Sequence, residues 1–205
     1  MRMAKGPVPV PVMWVERGSL ASSWRSALPP SAPLFVIATT TPDTPNRSEA
    51  RLIIRAALQQ VLGELWGSDP ASVTLTSAPG EPLRAHGPQR QAWGVSLSHE
   101  AGLSVAAVNR TGPVGVDIVR VSTAFDWRSV AHDYLGPRVA ADIAAQPVAR
   151  QNPSFLSAWA RQEARLKSLS LGLVEWQPTL QARLSDLQVA DLDLPADWLG
   201  AIAYR

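Results

Sequence analysis

The chain contains no cysteine, which excludes both a disulfide framework and a thiolate zinc site. It has almost no lysine: Lys5 and Lys167 stand alone, and every other strong base is arginine. Such a bias follows either from the base composition of the coding genome or from a demand for bidentate contacts to phosphate or carboxylate. Either way, Lys167 stands out. No apolar run approaches the ~18 residues a membrane span needs, and prolines break the apolar part of the opening MRMAKGPVPVPV. The expectation is a cytoplasmic protein without a membrane partner. A Lys/Arg block of the kind that tracks a nucleic-acid backbone is also missing, and the formal net charge is only +2; nucleic acid is therefore not an expected partner. What is present, 46% hydrophobic and 18% charged residues over 205 positions, suits a globular chain with a real core, as one domain or two small ones.

The stretch Asn152 to Gly172, NPSFLSAWARQEARLKSLSLG, reads as one bounded helix. Asn152 is a natural N-cap, Pro153 suits a first turn and Gly172 a C-terminal stop. At about 100° per residue, Phe155, Trp159, Leu166 and Leu169 form an apolar stripe, with Glu163 and Lys167 along its edge. That pair is either an ordinary surface i, i+4 ion pair or two charges facing a partly dry cleft, where they act strongly on a bound ion or phosphate. Upstream, Val114 to Val119, VGVDIV, reads as a buried strand interrupted by Asp117. A buried carboxylate needs a partner, and a cation would serve. Before it, VSLSHEAGLSVAAV reads as strand, turn and strand, with Ser96, Ser98 and His99 at the turn.

The order S-x-S-H (Ser96, Ser98, His99), then G-V-D-I (Gly115, Val116, Asp117, Ile118), then Phe155, Trp159, Glu163, Ala164, Lys167 and Gly172, resembles the Sfp-type 4′-phosphopantetheinyl transferases. Weaker similarity extends from about Arg47 to the last strand. The resemblance implies an α+β fold of two pseudo-twofold-related subdomains, each a small sheet packed on a long helix. The boundary is expected near Thr111 (1–111 and 112–205), with the coenzyme site at the interface. It implies a monomer that moves 4′-phosphopantetheine from coenzyme A to a serine of an acyl or peptidyl carrier protein, releasing adenosine 3′,5′-bisphosphate.

By the same resemblance, Asp117 and Glu163 would hold Mg²⁺, an ion that takes one or two carboxylates plus phosphate oxygens and water. Glu163 would also accept the serine proton, and Lys167 would neutralise charge on the leaving phosphate. His99 and Ser98 would contact the coenzyme phosphates. Arg47 and Arg51, spaced with Arg55 along the helix expected over Arg47 to Trp66, would meet its nucleotide. That helix is expected to bury Leu52, Ile53, Ala56, Ala57, Val61 and Leu62. Three positions depart from the family pattern: Val119 and not an acid, Gln162 and not a lysine, and Glu81 and not a lysine. Arg84, Arg161 and Arg165 are the nearest cations to compensate. These losses keep open a non-catalytic relative that binds coenzyme A or a carrier without transfer, and a structural or interaction protein that matches only by accident.

Elsewhere, Val8 to Glu16 reads as an edge strand, because prolines suit sheet edges. A short helix is expected around Leu20 to Leu28, a core strand at Leu34 to Thr39, and a loop from Ala85 to Gln91. Helical stretches are expected at Trp127 to Tyr134 and Arg138 to Ala145, and strands at Leu180 to Leu184, Leu187 to Leu192 and Trp198 to Tyr204. A carrier would dock through arginines around the cleft and apolar residues near Trp127 to Leu135.

Overall fold

A computed structural model describes residues 8–16, 32–44, 47–77, 81–87, 92–121 and 126–205; the helix expected around Leu20 to Leu28 lies outside them. The elements are β1 (Val10–Trp14), β2 (Leu34–Thr40), α1 (Arg47–Trp66), a 3₁₀ turn (Pro70–Ser72), β3 (Thr74–Thr76), β4 (Arg84–His86), β5 (Ala92–Glu100), β6 (Leu103–Asn109) and β7 (Val114–Arg120). There follow a helical turn (Arg128–Val130) that continues as a π turn (Ala131–Leu135), α2 (Pro137–Ala144), α3 (Val148–Ser168), α4 (Pro178–Ser185), β8 (Gln188–Asp193) and β9 (Trp198–Tyr204). The architecture is α+β, and the described residues form one nine-stranded sheet in the order β3-β4-β5-β6-β2-β1-β8-β9-β7.

β1 is an interior strand, against the expectation of an edge, and it pairs in parallel with both β2 and β8. Proline is tolerated because the β8 pairing involves only Val10 and Pro11, so few ladder bonds are at stake. In the sheet order this strand lies between β2 and β8. The period-2 alternation of strands sorts side chains to two cores. Phe35, Ile37, Ala106 and Val108 pack with Ile54, Leu58, Val61 and Leu62 of α1. Val36, Ala38, Val105 and Ala107 point the other way and meet Val114, Val116, Ile118 and Ile202 from β7 and β9. The sheet curls around this second core, so β7 is buried on both faces and its β-branched run is explained.

Helix α1 has the expected bounds, but its buried face is Ala50, Ile54, Leu58, Val61 and Leu62. Leu52 is 70% exposed because the face carrying Ile54, Leu58 and Val61, and not that edge of the helix, packs on the sheet. Helix α3 starts earlier than expected, and Pro153 lies inside it. In the second turn a proline removes only a bond to a first-turn carbonyl. The buried Gln151 side chain supports this start by donating to the carbonyls of Ala144 and Gln146. Nor does Gly172 end the helix. Ser170 adopts φ 56°, its N–H bonds Lys167 O and that of Leu171 bonds Leu166 O, a Schellman termination sealed by Leu171 packed near Leu166. Leu180 to Leu184 is helical and not a strand: Pro178 opens α4, and the two leucines, four apart, are both buried. Arg84–His86 is a strand where a loop was expected, and the Glu100 to Leu103 turn follows His99, which itself sits within β5 paired with Ser104.

Candidate active site

The site begins with the parity of β7. Val114, Val116 and Ile118 face the inner core, so Gly115, Asp117 and Val119 face α3. Among the described residues β7 ends the sheet and ladders only with β9, which leaves its outer N–H groups without a strand partner there. Ser96 and Ser98 on β5 supply one: Val116 N donates to Ser96 Oγ at 3.0 Å and Ile118 N to Ser98 Oγ at 3.3 Å. The S-x-S spacing thus matches the period of the strand it stitches.

Helix α3 lies very close to this strand. A Cβ on Gly115 would stand 1.9 Å from Ala164 O and 2.4 Å from Ser168 N, so only glycine admits the helix backbone here. The sheet-facing side of α3 is correspondingly lined by small residues, Ala160 and Ala164 against Ala201 and Ala203. The large apolar residues expected in one stripe divide instead between two other cores, Phe155 with Trp159 and Leu166 with Leu169. This close approach brings Lys167 Nζ within 2.7 Å of Asp117 Oδ1, 3.2 Å of Val116 O and 3.3 Å of Ser98 Oγ. Ser98 Oγ in turn donates to Asp117 Oδ1 at 2.8 Å. All three ammonium donors are engaged, and the buried carboxylate has the cation its surroundings demand. Lys167 and Ser98 both use Oδ1, so Oδ2 is bound by neither.

A cavity of about 600 Å³ opens over this cluster, lined among others by Arg47, Arg51, Ser98, His99, Asp117, Glu163 and Lys167. All seven residues assigned from the sequence therefore meet on one cavity. An adjoining hollow of about 410 Å³ shares Arg51, His99 and Lys167 and adds Arg55 and Glu81. The electrostatics are consistent with close crowding. Burial, then the charges of Arg51, Lys167, Arg47 and Arg55, push His99 down to about 4, so its imidazole is neutral at pH 7, with Nδ1 3.0 Å from Ser104 Oγ. Burial, followed by the Asp117 charge, raises Glu163 above the usual carboxylate range, with Lys167 opposing.

The cavity also holds a carboxylate that sequence reading missed. Glu100 lines it, and burial raises its pKa, with Arg47 opposing and the Asp117 charge adding to the rise. It also shares a second hollow with Val119, so a third acid stands beside the position where the family pattern has one. The available signal was its place at the end of the strand that carries Ser96 and Ser98. Among the described residues no group of three or more His, Asp or Glu side chains converges as a ready-made metal cage. Asp117 and Glu163, hard oxygen donors on one cavity, fit the sparser arrangement in which Mg²⁺ takes one or two carboxylates and completes its shell with phosphate and water.

Other expectations are redirected. Arg161 donates to Asp191 through Nε at 2.8 Å and Nη2 at 2.6 Å, and with Arg165 and Gln162 it lines a separate groove, so neither arginine substitutes for a phosphate-facing lysine in the Asp117 cavity. Gln162 is itself buried and donates to Tyr134 O. Arg84 lies on β4 and lines neither hollow of the site. Trp127, Ala131 and Leu135, considered for carrier docking, are core residues packed on Phe155 and Leu156. Val130 remains at the surface of the hollow shared by Glu100 and Trp159. No helix among the described residues is long and apolar enough to cross a membrane.

Residues 113–198, which carry β7, α3 and the start of β9, match the sequence model of the 4′-phosphopantetheinyl transferase superfamily. That segment of the chain is similar to this superfamily. Among curated proteins the chain is similar to the 4′-phosphopantetheinyl transferase HetI of Nostoc sp. (strain PCC 7120 / SAG 25.82 / UTEX 2576), 25% identical over 145 residues. That match covers 70% of this chain and 61% of the relative, so the chain spans less than two thirds of the relative's length.

Proposed function

We propose that the protein transfers the 4′-phosphopantetheine group of coenzyme A to a serine hydroxyl of an apo acyl or peptidyl carrier protein, in the manner of a holo-acyl-carrier-protein synthase, with Mg²⁺ as cofactor. The observation that carries the reading is the convergence of Asp117, Glu163, Lys167, His99, Arg47 and Arg51 on one cavity. In the reaction the serine oxygen bonds to the phosphorus that bears the pantetheine arm. The bond from that phosphorus to the bridging oxygen breaks, and adenosine 3′,5′-bisphosphate leaves with the electron pair. When bound, Mg²⁺ supplies charge neutralisation on the diphosphate, and Asp117 and Glu163 are the residues that would hold it.

The chain's own groups do the rest. Glu163, raised by burial, accepts the serine proton, a role that favours a carboxylate tuned toward neutral pH. Lys167 holds positive charge at the floor of the site, next to the developing charge of the leaving phosphate. Neutral His99 offers one N–H to a phosphate oxygen, and Arg47 and Arg51 receive the nucleotide phosphates through their guanidinium forks. The reading carries with it a cytoplasmic monomer.

Incubation of the purified protein with Mg²⁺, coenzyme A and a panel of apo-carriers is expected to raise a carrier's mass by one phosphopantetheine arm. Glu163→Gln is expected to lower kcat by about 10²-fold or more. Folded protein that modifies no carrier sinks the proposal. One observation favours a second reading, a homologue that binds coenzyme A or a carrier without transfer: every donor of Lys167 is already engaged within the protein. Calorimetric binding of coenzyme A with no turnover would identify that case.

A further inference from the structure

Helix α3 carries a second cluster of cations on a face away from Asp117. Arg150, Arg161 and Arg165 line a groove of about 570 Å³ between α3, α2 and α4, with Gln162 and Gln181 as polar walls and Leu135 as an apolar one. None of the described residues lining the groove is acidic. The three arginines differ in their partners. Arg150 is exposed at the rim, and Arg161 is bound bidentately by Asp191. Arg165 has no ion-pair partner among the described residues, and its Nε is buried without a hydrogen-bond acceptor. Burial, and then the charge of Arg161 one turn away, shifts Arg165 toward the uncharged form. A guanidinium keeps its proton at any ordinary pH, so the charge stays and the site is left short of an anion.

We infer that this groove is an anion-binding site, separate from the transfer cavity, in which Arg165 receives the phosphate or carboxylate of a small molecule. The groove has the size of a small-ligand pocket. An incoming oxyanion gives the Arg165 guanidinium the counter-charge it lacks, with Arg161 adding its field from about 6 Å along the helix. Arg150 sits about 22 Å from Arg165 on the same axis, too far to share a single small anion, and serves the approach of the ligand. The inference does not depend on the transfer reaction.

The test is a titration of the full chain, without Mg²⁺ or coenzyme A, with inorganic phosphate in one arm and citrate in the other. The Nε–H resonance of Arg165 is followed by NMR and the affinity by calorimetry. At least one anion is expected to move the Arg165 resonance saturably, and the arm that binds more tightly names the chemistry. In Arg165→Met the affinity should fall about ten- to hundredfold, the loss of one charge-assisted bond. Binding that survives Arg51→Gln belongs to the groove and not to the transfer cavity. In the absence of anion, Arg165→Met is expected to leave the Tm unchanged or higher, because no pair is broken. An Arg165 resonance unmoved by both anions, equal affinity in the variant, or a lower Tm for the unliganded variant would each overturn the inference. If the variant fails to fold, the wild-type NMR titration still decides.

Discussion

Two turns of α3 present opposite solutions to the burial of a cation. On one face Lys167 is enclosed by Asp117, Ser98 and the Val116 carbonyl. On the other, Arg165 is sunk into a groove without a counter-charge among the described residues. The sequence spacing is the same in both, four residues from Glu163 to Lys167 and from Arg161 to Arg165. The difference comes from what each face meets: a strand that carries a carboxylate at the facing parity, or a groove walled by amides and aliphatic groups. A buried pair is poor evidence of net stabilisation, yet the removal of one member is expensive because the other is left charged and dry.

Breaking the paired face should therefore have the largest effect. Lys167→Met leaves Asp117 with the Ser98 hydroxyl but without a counter-charge and is expected to destabilise the fold by about 3 kcal/mol, the low end for a buried pair, since the lysine side chain keeps 30% exposure. The double variant with Asp117→Asn should recover much of that loss. Urea unfolding of both, beside Arg165→Met, measures the contrast directly, and a single-variant loss no larger than that of Arg165→Met would erase it. Next comes the contact that brings the two elements together. Gly115→Ala places a methyl against backbone of α3 and is expected to lower stability by about 1–3 kcal/mol, read as a fall in Tm, together with weaker metal or coenzyme binding.

A smaller effect tests the positive crowding on the cavity side. With its folded pKa depressed to about 4, His99 binds its proton less readily in the native state than in the unfolded chain. Wild-type stability relative to His99→Gln is then fully present above about pH 6.5, and declines as pH falls toward 4. Denaturant unfolding at a series of pH values should show this slope; a flat or reversed difference would show that the arginines and Lys167 do not act on His99. The smallest expected change affects both faces alike. Ser170→Gly relieves a positive φ at the end of α3, worth about 1–2 kcal/mol for a non-glycine residue and offset by about 0.5–1 kcal/mol of glycine's extra chain entropy, so a modest rise in Tm is expected.

Much of the site was legible in the residues, since Asp117 in a β-branched run and the Glu163 and Lys167 pair on a helix are local patterns. So were the bounds of α1, β7 and β9. The face of α1 was not, because Leu52 and Ala56 belong to an apolar pattern that tertiary packing leaves outside. Leu180 to Leu184 was misassigned because a short apolar run with leucines four apart also passes for a strand. The end of α3 at Ser170 was hidden because αL usually takes glycine, and Gly172 was the nearer candidate. Glu100 escaped notice since nothing local distinguishes it from a surface acid at a hairpin end.

Side-chain chemistry and its spacing along each element were set by the order of residues, because helical and strand periods turn that order into faces. Which faces meet was decided only by the curl of the sheet and the glycine contact at position 115. Those joined Asp117 to a lysine 50 residues away, drew Glu100 into the same cavity and left Arg165 on a groove with no acidic residue among its described lining. Long-range electrostatic partnership depends on three-dimensional distance and burial, neither of which is encoded in any single stretch of chain.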